Sequence, residues 1–143
     1  MKTVSQLLQD KGGGAVASVT PETKVFDALK LMAERNIGAL LVMNGDKLAG
    51  IMSERDYARK VILLGKSSHE LKVSEIMSED VVTVTPVQTV DDCMSLMTGR
   101  RIRHLPVLDE GKVAGVLSIG DLVKAIIELQ QQTIQQLESY IHS

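Results

Sequence analysis

The sequence predicts an α/β (α+β) fold: two βαββα repeats packed sheet-to-sheet about a pseudo-two-fold axis. Three observations carry this. The chain repeats itself at an offset of 65 residues, each copy alternates β-branched runs with helix-like segments, and both contain Gly-x-x-Ser-x-x-Asp. A half of this size buries too little surface to be stable alone, so two halves stacking their sheets would hide both open faces and leave two equivalent clefts.

The repeat needs no gap. Val19-Thr20-Pro21 falls on Val84-Thr85-Pro86, and Val25, Asp27, Leu31, Met32, Arg35 and Ile37 fall on Val90, Asp92, Leu96, Met97, Arg100 and Ile102. Leu40, Val42, Lys47, Ala49, Gly50, Ser53 and Asp56 recur as Leu105, Val107, Lys112, Ala114, Gly115, Ser118 and Asp121. Even the lead-ins match, Val4-Ser5-Gln6-Leu7-Leu8 with Val73-Ser74-Glu75-Ile76-Met77, at an offset of 69. Repetition at fixed spacing is the mark of a duplicated unit. It divides the chain into 1–66, with the lead-in and a glycine loop at Lys11-Gly12-Gly13-Gly14, and 67–143, with a long final helix.

Each element follows in order. VASVTP and VVTVTP are β-branched runs stopped by proline, which holds the preceding Thr20 or Thr85 extended. Val25, Leu29, Met32 and Val90, Met94, Met97 lie at helical spacing on one face. Two apolar strands come next, joined by turns at Asn44-Gly45-Asp46 and Asp109-Glu110-Gly111. ERDYARKVILLG reads as a helix stopped at Gly65. Its counterpart after Ser118 runs on without glycine or proline, with apolar Leu122, Ile126, Leu129, Ile134, Leu137 and Ile141 outlasting the repeat. Such surplus apolar residues seek a partner, and a second copy of the chain or the helix's own domain could supply it.

The chain has 143 residues, with 16 Lys and Arg against 18 Asp and Glu. This near balance argues against a nucleic-acid partner, which selects a clustered basic excess. Scarce aromatics (Phe26, Tyr57 and Tyr140) leave no base-stacking platform. No apolar run is long enough to span a membrane and none at the start resembles a secretory signal, so a cytoplasmic location is expected. Cys93, the single cysteine, aligns with Ala28 on a helix and reads as a core thiol. No spacing of His, Cys or Asp suggests a metal site, Lys11-Gly12-Gly13-Gly14 lacks the Lys-Ser/Thr of a P-loop, and no nucleophile–base pair suggests an enzyme.

The repeated Ser-x-x-Asp has two readings. As a capping box, Ser53 and Ser118 would accept from the third helical amide while Asp56 and Asp121 favour the positive helix end. As a ligand site, the same strand–turn–helix junction, directly after Gly50 or Gly115, attracts phosphate. Arg100-Arg101-Ile102-Arg103-His104 adds a focused positive cluster, and guanidinium takes two phosphate oxygens at once.

The V-T-P opening, the order of elements, the doubled motif and the repeat length resemble a pair of CBS domains, together called a Bateman module. The resemblance covers nearly the whole chain, and with no catalytic domain attached it looks like a stand-alone pair. It implies a regulatory module for signal transduction that senses an adenosine nucleotide (AMP, ADP, ATP or NAD) and is usually a homodimer; it leaves a regulated protein partner unnamed. Asp56 and Asp121 would hold the ribose diol, and Ser53 and Ser118 an adjoining polar or phosphate group. Thr20, Val25, Thr85 and Val90 would neighbour the base. Arg103 and His104, with Ile102, would line the phosphates in one repeat; Ile37, Gly38 and Ala39 hold the matching positions in the other, where the short side chains leave room for the base or a dinucleotide. Gly38 and Ala39 cannot neutralise charge as Arg103 and His104 can, and Arg55 is replaced by Gly120, so two unequal sites are expected. The competing reading is a structural or dimerisation module whose motifs only cap helices.

Overall fold

The computed structural model describes residues 2–12 and 16–142. Gly13 and Gly14 of the glycine stretch lie outside them. The chain forms two compact units, one spanning Ala15–Val81 and the other joining Met1–Gly14 to Val82–Ser143. These units differ from the division at 66/67 that the repeats suggest. The first lead-in belongs with the second repeat, and the second lead-in with the first.

In the unit of repeat one, β1 (Ser18–Val19) pairs in parallel with β2 (Ala39–Asn44), which pairs antiparallel with β3 (Lys47–Ser53). Between them, α2 (Val25–Arg35) buries Val25, Ala28 and Met32 against the sheet residues Leu40, Val42 and Met52. The helical spacing of the sequence is thus the core-facing stripe. Asn36 then adopts a left-handed conformation with φ 54° and closes the helix. The chain returns through Ile37, whose N–H donates to the Met32 carbonyl at 3.0 Å. This fixes where Gly38 and Ala39 enter β2.

Repeat two follows the same plan with α4 (Val90–Arg100), β4 (His104–Asp109), β5 (Lys112–Ser118) and α5 (Ile119–His142). Arg101 takes the left-handed position of Asn36, with φ 55°. The expected strand of VVTVTP shrinks to one parallel bridge, Val84 with Val107. The Val84 N–H donates to the Pro106 carbonyl at 3.0 Å and the Leu108 N–H to the Val84 carbonyl at 2.9 Å. The next rung would need an N–H at position 106. That residue is proline, where repeat one has Leu41, so the ladder stops.

The expected helix after Ser53 is also corrected. It is α-helical only over α3 (Glu54–Tyr57), then widens into a π turn over Ala58–Ile62 before Gly65 ends it at φ 69°. The Leu63 N–H reaches the Ala58 carbonyl at 3.0 Å across this wider turn.

The lead-ins are docked by matching bonds. Val73 N–H donates to the Thr23 carbonyl and Ser74 N–H to the Pro21 carbonyl, at 2.8 and 3.0 Å. In the other unit Val4 N–H donates to Gln88 and Ser5 N–H to Pro86, at the same distances. The Val-Thr-Pro turn is therefore the receptor for a lead-in. Val4 and Leu7 of α1 (Val4–Asp10) are buried in the core of repeat two, as Val73 and Ile76 are in that of repeat one. The second lead-in makes no full α-helix, only a 3₁₀ turn over Val73–Glu75.

Candidate functional site

Each Ser-x-x-Asp sits where a strand of the hairpin turns into a helix. Ser53 ends β3 in extended conformation, and its Oγ accepts the Asp56 N–H at 3.2 Å. Asp56 Oδ2 accepts in return from the Ser53 N–H at 2.9 Å and from the Ser53 hydroxyl at 3.1 Å. Ser118 and Asp121 repeat this at the head of α5, with 3.2 Å for the Asp121 N–H on Ser118 Oγ and 2.8 Å for the Ser118 N–H on Asp121 Oδ2. Both motifs are reciprocal helix caps, contributing about 1 kcal/mol each to the fold. The cap engages one carboxylate oxygen in each case. A carboxylate has about four lone-pair positions, so a capped aspartate keeps acceptors for another donor.

Hairpin register brings the segment before the second strand onto the motif. Ala39 lies opposite Ser53, and the Gly38 carbonyl accepts the Glu54 N–H at 3.0 Å. His104 lies opposite Ser118, and the Arg103 carbonyl accepts the Ile119 N–H at 2.8 Å. Gly38, Ala39, Ser53 and Asp56 thus gather at one junction, and Arg103, His104, Ser118 and Asp121 at the other. Arg55 is exposed on α3, where repeat two has Gly120. Ile37 and Ile102 are half-buried against their cores.

The remaining expected residues form the turns and helix starts of the two repeats. Val25 and Val90 open α2 and α4 with their side chains in the cores. The Thr20 N–H donates to Thr23 Oγ1 at 3.1 Å, and the Thr85 N–H to Gln88 Oε1 at 2.8 Å, so both threonines stabilise the turns that receive the lead-ins.

Two lysines stand beside the aspartates: Lys60, which the sequence reading does not name, and Lys11, which it names only as the start of the glycine loop. Lys60 Nζ donates to the Ile76 carbonyl at 2.9 Å and stands 3.4 Å from Asp56 Oδ1. Lys11 Nζ donates to the Val116 carbonyl at 2.8 Å and to Asp121 Oδ2 at 2.9 Å. The i,i+4 spacing of Asp56 and Lys60 is a sequence signal for the first pair. Nothing local announces the second, whose members are 110 residues apart. Burial works to raise the Asp121 carboxyl, but the Ser118 N–H and the Lys11 ammonium outweigh it and hold the group below the usual carboxylate range.

Gly50 and Gly115 have a different role from the one their place before the motif suggests. A Cβ on Gly50 would lie 2.7 Å from the Ser78 carbonyl oxygen and 2.8 Å from Met77 Sδ. On Gly115 it would lie 2.6 Å from Leu8 Cδ2. Both glycines make room for a lead-in rather than for phosphate.

Cys93 is buried in the core, and burial, with Asp92 nearby, pushes its thiol up to about 11. A thiol so protonated is no nucleophile. Among the described residues no group of three or more His, Cys, Asp or Glu could hold a metal ion, and no helix is long and apolar enough to cross a membrane.

The family model of the CBS domain matches the chain twice, over residues 14–62 and 73–128. The chain belongs to the CBS-domain family. It is a tandem CBS pair of mixed α/β architecture, and the capped Ser-x-x-Asp junctions are equivalent points of its two repeats. The chain is similar to the mitochondrial CBS domain-containing protein CBSX3 of Arabidopsis thaliana, with 43% identity over 97% of this chain and 71% of that protein. A solved CBS-domain protein from Burkholderia ambifaria MC40-6 shares 54% identity at a TM-score of 0.86, over 89% of this chain and 95% of that one. CBSX2, solved in complex with AMP, superposes with a TM-score of 0.73 at 26% identity, over 91% of this chain and 99% of that one.

Proposed function

We propose that this CBS pair is a regulatory module that binds an adenosine nucleotide (AMP, ADP, ATP or NAD) at its strand-to-helix junctions. The ribose diol donates to Asp56 or Asp121, and Ser53 or Ser118 meets an adjoining polar or phosphate group. Thr20, Val25, Thr85 and Val90 border the base through the turns and helix starts they form. Ile37, Gly38, Ala39 and Arg55 flank one junction, and Ile102, Arg103 and His104 the other, so the second is the more cationic. The module carries out no chemistry on the nucleotide; occupancy changes its shape, which a protein partner reads.

The observation that carries this reading is the AMP bound to CBSX2, a fold relative, taken with an aspartate at both equivalent junctions here. Calorimetric titration of the full chain tests it. AMP is expected to bind, and the Asp56→Ala/Asp121→Ala double variant to bind about 30-fold more weakly, equivalent to about 2 kcal/mol. Unchanged affinity in the double variant would remove the aspartates from the ligand's contacts.

A second reading is favoured by one specific observation, that both carboxylates cap their own helices. A scaffold of this kind would show no thermal shift with any nucleotide. A ligand at 100 times its Kd should stabilise the fold by about 2.7 kcal/mol.

We also propose a homodimer built through α5. The helix is 24 residues long, roughly 36 Å, and its last half leaves Ile134, Leu137 and Ile141 exposed by 54, 58 and 74%. An isolated helical end of this length is marginal in water without a packing partner. Sedimentation should give twice the chain mass for the wild type and a monomer for Leu137→Glu. A monomeric wild type would end the proposal.

A further inference from the structure

Beside the assigned site residues the protein carries an exposed Ile62, Leu63 and Leu64 turn, a Phe26–His69 stack, and a lysine, Lys11, paired with Asp121. Lys11 follows α1, the lead-in helix docked on repeat two, and reaches the head of α5 with its ammonium.

We infer that Lys11 is an anion-binding residue of the Asp121 junction, its ammonium taking a phosphate oxygen of the nucleotide whose sugar Asp121 holds. The inference rests on the nucleotide reading and adds a residue that reading does not contain.

An ammonium has three donors. Two are directed at the Val116 carbonyl and Asp121 Oδ2, at 2.8 and 2.9 Å, and a third remains among the described residues. The side chain is 42% exposed, so that donor can meet a ligand from solvent. Lys11 is also anchored: its two acceptors fix the ammonium beside the carboxylate before any ligand arrives, which lowers the ordering cost of binding.

The other repeat also sets a lysine beside its aspartate. Lys60 is placed comparably at Asp56, donating to the Ile76 carbonyl at 2.9 Å and standing 3.4 Å from the other carboxylate oxygen, Oδ1. The lysines are not copies of one another. Ala125 occupies the place of Lys60 in repeat two, and Asp80 the place of Lys11 in the second lead-in. The aspartate recurs at both junctions, whereas the cation beside it comes from a different, non-equivalent position in each. A bare cap would not require this, because the cap bonds involve only Ser118 or Ser53. A carboxylate that must sit next to a phosphate does, since like charges repel unless a cation stands between them.

Lys11→Met removes the charge while keeping much of the stem. AMP and adenosine are titrated calorimetrically against the full wild-type chain, Lys11→Met, Lys11→Arg and Asp121→Ala, the last identifying the component of the isotherm that belongs to this junction. In that component Lys11→Met should weaken AMP about tenfold, leave adenosine within about twofold and be largely rescued by Lys11→Arg. Thermal melts of Lys11→Met should stay close to wild type, because the pair is solvent-exposed. Unchanged AMP affinity in Lys11→Met overturns the inference while the nucleotide reading stands. Equal losses of AMP and adenosine overturn it too, reducing Lys11 to a positioning residue for Asp121. A wild type that binds neither of these ligands overturns this inference, and one that also binds no ADP, ATP or NAD removes the nucleotide reading with it.

Discussion

Gly50→Ala is expected to destabilise the protein by about 3 kcal/mol, and Gly115→Ala by only about 1 kcal/mol, although the two glycines are equivalent in the repeat. An alanine in a strand interior normally gains from a smaller entropy loss, by roughly 0.5–1 kcal/mol over glycine. The contact geometry reverses the sign. At Gly50 the new methyl would meet the Ser78 carbonyl oxygen at 2.7 Å, and that backbone is paired with β3. Ile51 N–H donates to Ser78 O at 3.0 Å, and Ser78 N–H to Ile51 O at 2.9 Å, so the obstruction cannot move without losing both bonds. At Gly115 the obstruction is the end of the Leu8 side chain, which can change rotamer. Urea denaturation of both variants reads the difference. Equal midpoints would mean that the second lead-in yields as readily as a leucine methyl.

Leu7→Ala is expected to destabilise the unit of repeat two, although Leu7 precedes repeat one in the chain. Leu7 is buried among Val84, Val90, Leu105, Leu117 and Leu122. Deleting such a side chain costs about 3 kcal/mol, through lost transfer energy and the cavity left behind. Native-state hydrogen exchange should accelerate roughly 100-fold for core amides within 82–142, with a much smaller change within 16–81. A loss concentrated in 16–81 would contradict the docking of α1. The matching change at Ile76, buried with Val25, Leu40 and Met52, should act on the other unit.

These two expectations mark where sequence reading reached and where it stopped. The helices α2 and α4 were legible because an apolar stripe at helical spacing has few other uses. Both hairpins were legible from glycine-bearing turns between apolar runs. The π turn after Tyr57 was not, since its residues are as compatible with an α-helix. Pro106 could have warned of the shortened sheet, but only once its neighbour across the ladder was known.

The site divides in the same way. The junction of Ser53 with Asp56, and of Ser118 with Asp121, is a contact within four residues, so spacing alone reveals it. That Ala39 and His104 lie opposite those serines follows from hairpin register. Val25 and Val90, proposed to border the base through the helix starts they form, also fill the cores with their side chains. Apolar identity cannot distinguish a core position from the wall of a site.

By itself the sequence determined the duplication, the general order of elements in each repeat and the place of both Ser-x-x-Asp motifs at a strand-to-helix junction. All of these depend on periodicity or on contacts between near neighbours. Only the tertiary structure decided that the lead-ins are exchanged, that the repeated glycines accommodate them, and that Lys11 meets Asp121 from 110 residues away. The physical reason is range. Local rules fix dihedrals and faces, whereas which backbone fills the space over a glycine is settled by packing between segments that no spacing rule connects.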